Sequence, residues 1–324
     1  MSGMSVGKYR GMQRLSNGAG SLSMCALDHR GSLKKMLKAA MGVEPTYEDM
    51  VDFKMDICEA LSMWASAILL DPLFGAAQSI ASENLDGSTG LVVSLEETGY
   101  EGANESRVSR ELANWNAAKI RRMGADAAKL LLYYRPDVDV ATKQLDLVRK
   151  LAADCAAQDL PFVVEPVGYA VGDEGSSGRY ASIRPDIVVQ TAKDITPLGI
   201  DVLKAEFPAD INVEHDENKM LEYCTRLDAA SEVPWIILSG GADFEWFKRE
   251  VEIACKAGAS GFLAGRALWQ EATGMSSREE RIEFFNTTVV ERLRLITAIA
   301  DAYGTPWFAR VDAPEVSEDW HATY

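Results

Sequence analysis

The strongest constraint on the fold of this chain is an alternation of short apolar runs with longer segments of helical spacing, repeated eight times over 324 residues. Continuous apolar strands separated by amphipathic helices are typical of a parallel sheet covered by helices. Eight such units favour one α/β domain over residues 1–324, a closed (β/α)₈ TIM barrel. The predicted strands cover residues 22–28, 65–71, 90–96, 127–134, 161–167, 201–208, 234–241 and 258–266.

The segments between these strands carry apolar residues at helical spacing. They predict helices over residues 47–63, 107–123, 139–158, 217–230, 243–257 and 277–303. Gly124, Gly258 and Gly304 stand where glycines that end helices are expected. After the fifth strand, a loop over residues 168–184 precedes a helix expected to begin near Pro185. A loop of this length acts either as a lid or specificity loop above the active site, or it is a disordered segment without a role there.

Both ends of the chain lie outside the eight units. Residues 1–20 form a polar N-terminal extension before the first strand. Residues 305–324 form a C-terminal tail that contains Trp307, Phe308 and Trp320. A tail with three large aromatic side chains is too apolar to remain free in water, so we expect it to pack on the barrel or on a neighbouring subunit.

Composition excludes several classes of partner. A formal net charge of -16 argues against nucleic acid, which is bound through clustered Lys and Arg. Only three histidines occur, which disfavours a transition-metal site, and we expect neither a metal nor a cofactor. No apolar run has membrane-spanning length, so we expect no membrane partner and a cytoplasmic protein. The cysteines lack CxxC spacing and are predicted to be reduced: Cys25, Cys58, Cys155, Cys224 and Cys255.

One lysine lies inside an apolar strand. Lys204 occupies the middle of the sixth predicted strand. Burial disfavours the ammonium form of a lysine, and a neutral amine is a nucleophile that forms a Schiff base with a ketone. The alternative is a structural lysine that extends from the strand end to solvent or pairs with Glu206.

Polar residues recur at the carboxyl end of every predicted strand, and in a barrel these ends converge on the catalytic face. A second ammonium near Lys204 and a carboxylate able to carry protons suit Schiff-base aldol cleavage. For Lys129 a structural ion pair with Asp28 or Glu165 is an equal alternative. In strand order the residues are Asp28, Asp71, Glu96, Lys129, Glu165, Lys204 with Glu206, Ser239 and Arg266.

The last two strands end in small residues followed by an arginine. Ser239 and Gly240 follow the seventh strand, and Gly265 precedes Arg266 at the end of the eighth. Phosphate sites in barrels recur in these two loops, where glycine lets backbone N–H groups approach an anion and a guanidinium adds charge. These residues predict a phosphate site, although a tight turn alone would also explain the glycines.

Segments spread along the whole chain resemble class I tagatose 1,6-bisphosphate aldolases of the lactose catabolic type. They are ALDHRGSLKKM (26–36), AILLDPLFG (67–75), LEETGYEG (95–102), GADAAKLLLYYRPD (124–137), DVLKAEFP (201–208), ILSGGAD (237–243), AGRALWQ (264–270) and GTPW (304–307). The resemblance implies a metal-independent aldolase that cleaves a ketohexose 1,6-bisphosphate, with tagatose 1,6-bisphosphate expected, to dihydroxyacetone phosphate and glyceraldehyde 3-phosphate. Because homo-oligomers are common and the aromatic tail offers a contact surface, we also expect a homo-oligomer.

The resemblance assigns roles to residues at matching positions. Lys204 corresponds to the Schiff-base lysine and Glu165 to the proton-transferring carboxylate, while Asp28 and Lys129 belong to the charged set around them. Arg30 is the expected contact for the group at the far end of the sugar. The residues expected to bind the C1 phosphate are Ser239, Gly240, Gly265 and Arg266. His29, Asp71 and Glu96 complete the predicted substrate-binding set.

Some positions depart from this pattern. His29 stands where the family more often has glutamine, and Ser239-Gly240-Gly241 replaces a more usual Ser-Ala-Gly. The segment GASGFLAGRALW (258–269) is closer to related aldolases that cleave sulfofructose 1-phosphate to dihydroxyacetone phosphate and sulfolactaldehyde. A sulfonated sugar is therefore the alternative substrate. A sugar-phosphate-sensing regulator built on the same barrel is the alternative outside enzymes.

Overall fold

Eight parallel strands close into a barrel in the computed structural model, which describes residues 4–275 and 277–324. Strands pair in chain order, and β1 returns to β8 with Leu22 opposite Gly261, which confirms the predicted TIM barrel. The strands are β1 Leu22–Leu27, β2 Ala67–Leu70, β3 Gly90–Ser94, β4 Ala127–Tyr133, β5 Phe162–Val167, β6 Val202–Ala205, β7 Trp235–Leu238 and β8 Gly261–Ala264.

Helices cover the outside of the barrel. Several begin at capping residues that the sequence shows, such as Asp243, whose side chain accepts the backbone N–H of Trp246. The helices are α1 Val6–Leu15, α2 Gly31–Met41, α3 Tyr47–Leu61, α4 Ala76–Ala81, α5 Ala117–Arg122, α6 Ala141–Ala156, α7 Arg179–Ile195, α8 Glu217–Ala230, α9 Phe244–Ala257, α10 Arg266–Trp269, α11 Arg278–Phe284, α12 Val290–Tyr303 and α13 Trp320–Thr323.

Side chains alternate along each strand between the barrel interior and the helical layer. Both faces of the sheet are buried, so successive residues of a strand are apolar. The sequence therefore shows continuous apolar runs and no alternation of polar and apolar residues. The same alternation turns Lys129, Glu165 and Lys204 inward, because each lies two residues beyond an interior position. The strand residues that pack together inside the barrel are Leu22, Met24, Ala26, Ala67, Leu69, Val92, Ala127, Val163, Val202, Ile236 and Leu263.

Three predicted helices differ from those observed. Only Ala117–Arg122 of the helix predicted over residues 107–123 is helical, because the chain after β3 folds back in antiparallel bridges that join Glu96 to Glu111 and Glu101 to Val108. Helix α7 begins at Arg179, so Pro185 lies inside it and does not start it. The helix predicted over residues 277–303 is interrupted by a π-helical turn, Phe285–Val289.

The base of the barrel is closed by both ends of the chain. Helix α1, which the sequence did not predict, places Met12 and Leu15 in the interior cluster, where Trp307 joins them. The Trp307 indole N–H donates to Ser16 Oγ over 3.0 Å, and its ring lies 4.9 Å from that of Tyr9. Residues 1–3 of the predicted extension lie outside the described residues. This closure leaves the opposite, carboxyl end of the barrel open.

Within the described part of the chain, no helix has both the length and the apolar character needed to cross a bilayer.

Candidate active site

A cavity of about 680 Å³ opens at the carboxyl ends of the strands. Asp28, Glu165 and Lys204 line it from the barrel, and the loops after β1, β3, β7 and β8 form its walls. Lys204 is 3% exposed at this position. Residues that are far apart in sequence therefore share one pocket, as the barrel topology predicts. The predicted residues that line the cavity are Asp28, His29, Arg30, Glu96, Glu165, Lys204, Ser239, Gly240, Gly265 and Arg266.

The floor of the cavity is a chain of alternating charges. Lys204 Nζ lies 2.9 Å from Glu165 Oε1, and Glu165 Oε2 lies 2.8 Å from Lys129 Nζ. The same ammonium of Lys129 lies 2.7 Å from Asp28 Oδ2 and 3.0 Å from Glu96 Oε1. Glu165 thus bridges the two lysines, and Lys129 pairs with three carboxylates at once.

Lys129 is fully buried and does not line the cavity. Burial alone would lower its pKa, but Asp28, Glu165 and Glu96 outweigh that effect and hold the pKa of Lys129 well above its usual value. Lys129 is therefore a fixed cation. Its position beneath Glu165 makes it an electrostatic support and not a second nucleophile.

Glu165 and Asp28 are held in their ionised form. Burial would raise the pKa of Glu165, yet Lys129 and Lys204 outweigh it and lower that pKa. For Asp28, burial again opposes ionisation, and the same two lysines lower the pKa far below its usual value. Glu165 can therefore accept a proton from a group that enters the cavity.

Asp71 departs from the prediction that it binds substrate. It is fully buried, lies outside the cavity lining and forms an ion pair with Lys54, a residue that sequence reasoning missed. Its other oxygen accepts the backbone N–H groups of Leu73 and Phe74, at 2.8 Å and 2.9 Å. Lys54 also donates to the carbonyl of Leu27 over 2.7 Å. The pair thus fastens the backbone next to Asp28, and its role is structural.

One end of the cavity has the features of an anion site. The Ser239 hydroxyl accepts the backbone N–H of Gly265 over 3.4 Å. Gly241 has a φ of 92°, and a Cβ there would lie 3.2 Å from the Arg266 Cζ, so the guanidinium rests directly on this glycine. The Arg266 side chain makes no hydrogen bond or ion pair with any described residue, and its Nε is buried. The guanidinium donors are therefore free for a ligand.

A second cation faces the cavity from the other side. Arg30 is 8% exposed, and its Nη2 donates to the carbonyl of Glu96 over 2.7 Å and lies 3.7 Å from Glu96 Oε1. Its Nη1 is buried without a partner among the described residues. Glu96 follows β3, whereas the glycine beneath Arg266 follows β7, and these strands are opposite each other in the eight-stranded barrel. Lys35, exposed on α2, also lines the cavity. Two cationic ends therefore flank Lys204.

The cavity also has an aromatic wall that the sequence did not predict. Tyr100 and Tyr133 line the cavity, with ring centroids 4.9 Å apart. The Arg107 guanidinium lies over both rings and over Tyr169, at 4.7, 5.6 and 4.8 Å from the centroids. Tyr133 was predictable, because it continues the inward alternation that begins at Lys129. The position of Arg107 was not predictable in this way, since it lies in the segment that the apolar spacing predicts as a helix.

Glu206 also lines the cavity but does not pair with Lys204, which corrects the structural alternative. Its carboxylate accepts the backbone N–H of Gly168 over 2.7 Å and lies 3.4 Å from the Arg184 guanidinium. Burial raises the pKa of Glu206. These bonds join the end of β6 to the start of the long loop after β5.

That loop is anchored to the barrel. Arg135, 2% exposed, donates to Glu174 from both terminal nitrogens at 2.6 Å and 2.9 Å, and to the Tyr169 carbonyl at 2.8 Å. A guanidinium bound in this two-point manner holds its partner in one geometry. The loop is therefore held near its midpoint by Arg135, just after β4.

No group of three or more His, Cys, Asp and Glu side chains is arranged to hold a metal ion among residues 4–275 and 277–324.

Relatives of the chain are aldolases. A model of the DeoC/LacD family of aldolases matches residues 22–271. Tagatose 1,6-diphosphate aldolase 2 of Enterococcus faecalis is 32% identical over 331 positions, which cover 96% of this chain and 99% of that protein. Tagatose 1,6-diphosphate aldolase of Listeria monocytogenes is 33% identical over 324 positions, which cover 94% of each.

Solved structures share the barrel at lower identity. A Schiff-base-forming fructose-1,6-bisphosphate aldolase superimposes with a TM-score of 0.57 at 22% identity, over 87% of this chain and 98% of that one. Fructose-bisphosphate aldolase from Plasmodium falciparum gives a TM-score of 0.71 at 15% identity, over 94% and 98%. At these sequence identities, the two structures show that the fold is shared and nothing more. The family match and the two relatives confirm the resemblance found in the motifs: the chain belongs to the DeoC/LacD family of aldolases.

Proposed function

We propose that the protein is a class I aldolase that cleaves tagatose 1,6-bisphosphate to dihydroxyacetone phosphate and glyceraldehyde 3-phosphate through a Schiff base at Lys204. The observation that carries this proposal is the contact of 2.9 Å between Lys204 Nζ and Glu165 Oε1 on the cavity floor. A nucleophile and a proton acceptor in direct contact are what Schiff-base chemistry requires. The names of the relatives support the choice of sugar.

Each step has a group to perform it. Glu165 takes a proton from the Lys204 ammonium, and the free amine adds to the C2 carbonyl of the sugar. Glu165 returns that proton to the C2 oxygen and then moves a second proton from the attached nitrogen to the same oxygen, which leaves as water and gives a protonated imine. Glu165 then accepts the C4 hydroxyl proton, the C3–C4 electrons move toward the imine nitrogen, and the aldehyde departs. Protonation of the enamine at C3 and hydrolysis release dihydroxyacetone phosphate and restore Lys204.

Lys129 fits this scheme as a constant positive charge. Its ammonium stays 2.8 Å from Glu165 Oε2 while the other oxygen of Glu165 exchanges protons with Lys204 and substrate. A nearby cation lowers the proton affinity of Glu165 and so makes it a ready donor after each acceptance. The two ends of the cavity would hold the two phosphates, with C1 at Arg266 and C6 at Arg30.

A cleavage assay tests the proposal. We expect turnover of tagatose 1,6-bisphosphate, with dihydroxyacetone phosphate detected by a coupled reduction, and no loss of rate in EDTA. Fructose 1,6-bisphosphate and sulfofructose 1-phosphate serve as parallel substrates. A higher kcat/KM for sulfofructose 1-phosphate would overturn the assignment of the sugar. Binding of all three sugars without cleavage of any would overturn the assignment of the protein as an enzyme and would favour a sugar-phosphate sensor.

Arg30→Met is expected to lower kcat/KM for the bisphosphate by about 10- to 100-fold, because a charge-assisted hydrogen bond to the C6 phosphate is lost. The matched substrate is fructose 1-phosphate, which has no charge at C6 and should change little. Arg30→Lys, which keeps the charge, should recover part of the loss. Equal losses on both substrates would show that Arg30 acts on the fold of the site and not on C6.

We further infer that the protein works in the cytoplasm as a homo-oligomer. All five cysteines are buried free thiols, which suits a reducing compartment. Closed homo-oligomers are common among soluble enzymes. Light scattering on the purified protein measures its mass directly, and a mass of one chain at working concentration would contradict the oligomer.

A further inference from the structure

His29 is a buried side chain that the proposed mechanism leaves unused. It lies between Asp28 and Arg30 and lines the cavity. Its ring packs against the backbone of Gly265, where a Cβ would come within 2.7 Å of His29 Cε1 and 3.3 Å of Nε2. It also meets the ring of Trp269 edge to face, at 5.1 Å between centroids. The imidazole is therefore fixed against the glycine that begins the Arg266 anion site.

Neither ring nitrogen of His29 has a hydrogen-bond partner in the described part of the chain, and Nδ1 is fully buried. The nearest carboxylate oxygen, Asp28 Oδ1, is 3.9 Å from Nδ1, which is too far for a hydrogen bond. A buried polar atom without a partner is costly unless a ligand or water completes it. The other edge of the ring, with Cε1 and Nε2, lies against Gly265, the residue before Arg266.

The charges that face His29 come from four elements. Asp28 at the end of β1 favours the imidazolium, whereas Arg266 on α10, Lys204 on β6 and Lys54 on α3 disfavour it. Burial is the largest effect, and together these groups lower the pKa of His29 to about 4. The free protein thus holds a neutral imidazole at neutral pH. A dianion placed at Arg266 would oppose the three cations and favour protonation.

We propose that His29 is a proton-linked member of the anion site at Arg266, and that it takes up a proton when a phosphate or sulfate dianion binds there. The step forms one N–H bond on the imidazole, and solvent supplies the proton. The proposal rests on the proposed function in placing an anionic group of the substrate at this end. A glutamine at this position would donate a hydrogen bond but could not change its charge. His29 would therefore make phosphate affinity depend on pH.

Nuclear magnetic resonance of the three histidines tests this directly. The Cε1–H signal of His29, assigned by its loss in His29→Gln, is followed against pH with and without saturating sulfate, whose charge is constant over the range used. We expect the pKa of His29 to rise by about one to three pH units with sulfate, as an opposite charge at close range produces. His215 and His321, both exposed, are internal references and should not shift.

Arg266→Met is the matched variant, because it removes the anion site and leaves the imidazole in place. The sulfate-induced shift should disappear there. Dihydroxyacetone phosphate is the second probe, and in wild-type protein its dissociation constant should rise more steeply with pH than in His29→Gln. An unchanged His29 pKa with both probes would overturn the proposal, as would an equal shift in Arg266→Met. The sulfate measurement involves neither turnover nor the Lys204 amine, so failure of the Schiff base would leave its result unaffected. An unchanged His29 pKa with sulfate would in turn leave the proposed aldolase reaction unaffected.

Discussion

Lys204→Met is expected to lower turnover by about 10⁴-fold or more, because the side chain that carries the covalent intermediate is gone and no other group can replace it. Lys129 cannot substitute, since three carboxylates hold it as an ammonium. Borohydride added in the presence of dihydroxyacetone phosphate should add the mass of the reduced adduct to wild-type protein at Lys204. The variant should gain no mass.

The variant Lys219→Met is a suitable control, because it removes an exposed lysine on α8 that lies outside the cavity. It should match wild type in both rate and trapping. Trapping at Lys129 in place of Lys204, or full turnover in Lys204→Met, would refute the assigned nucleophile. Far-ultraviolet circular dichroism of each variant separates loss of chemistry from loss of fold.

Lys129→Met is expected to lower the free energy of unfolding by about 3–5 kcal/mol near neutral pH, the usual result of removing one partner from a buried ionic cluster. The substitution leaves Asp28, Glu96 and Glu165 close together without the cation that joined them. Urea unfolding of both proteins measures the difference. The same change should abolish most activity, because Glu165 loses the charge that sets its proton affinity.

The difference in the free energy of unfolding between wild type and Lys129→Met should depend on pH. In wild type the folded-state pKa values of Asp28 and Glu165 are depressed, so the stability they contribute is present above their unfolded pKa and is lost as pH falls through the folded one. In the variant the crowded carboxylates gain raised pKa values and destabilise the fold as pH rises. The gap between the two proteins should therefore narrow from pH 7.5 to pH 5. Lys129→Met combined with Glu165→Gln should recover part of the loss, whereas a gap independent of pH would contradict the model.

The barrel was predictable because its strands are buried on both faces. Such strands appear in sequence as apolar runs, and eight runs with helical spacing between them leave few other architectures. The helix predicted over residues 107–123 was wrong for a physical reason. Its apolar spacing matches a helix, but backbone pairing of Glu101 with Val108 satisfies the same polar groups and draws the segment toward the cavity.

The charged floor was predictable as a set of residues, but their individual roles were not. Strand ends converge by topology, so Lys129, Glu165 and Lys204 could be placed together. Asp71 sits at an equivalent strand end yet lies outside the cavity lining, where it pairs with Lys54 of α3. Only packing between helix and strand decides such a case, and no local pattern of sequence reports it. The positions of Arg107 and of the His29 ring also depend on packing between elements, so the local sequence does not report them.

The closed base of the barrel bears on how the chain reaches its fold. Trp307 completes a cluster that begins at Met12, so the two parts of the seal are separated by almost the whole polypeptide. Contacts of such sequence separation form late and slow the folding of a domain. A ribosome that makes the chain from its N-terminus holds eight strands before it supplies this tryptophan. The nascent barrel therefore exposes an apolar lower rim until Trp307 has been added.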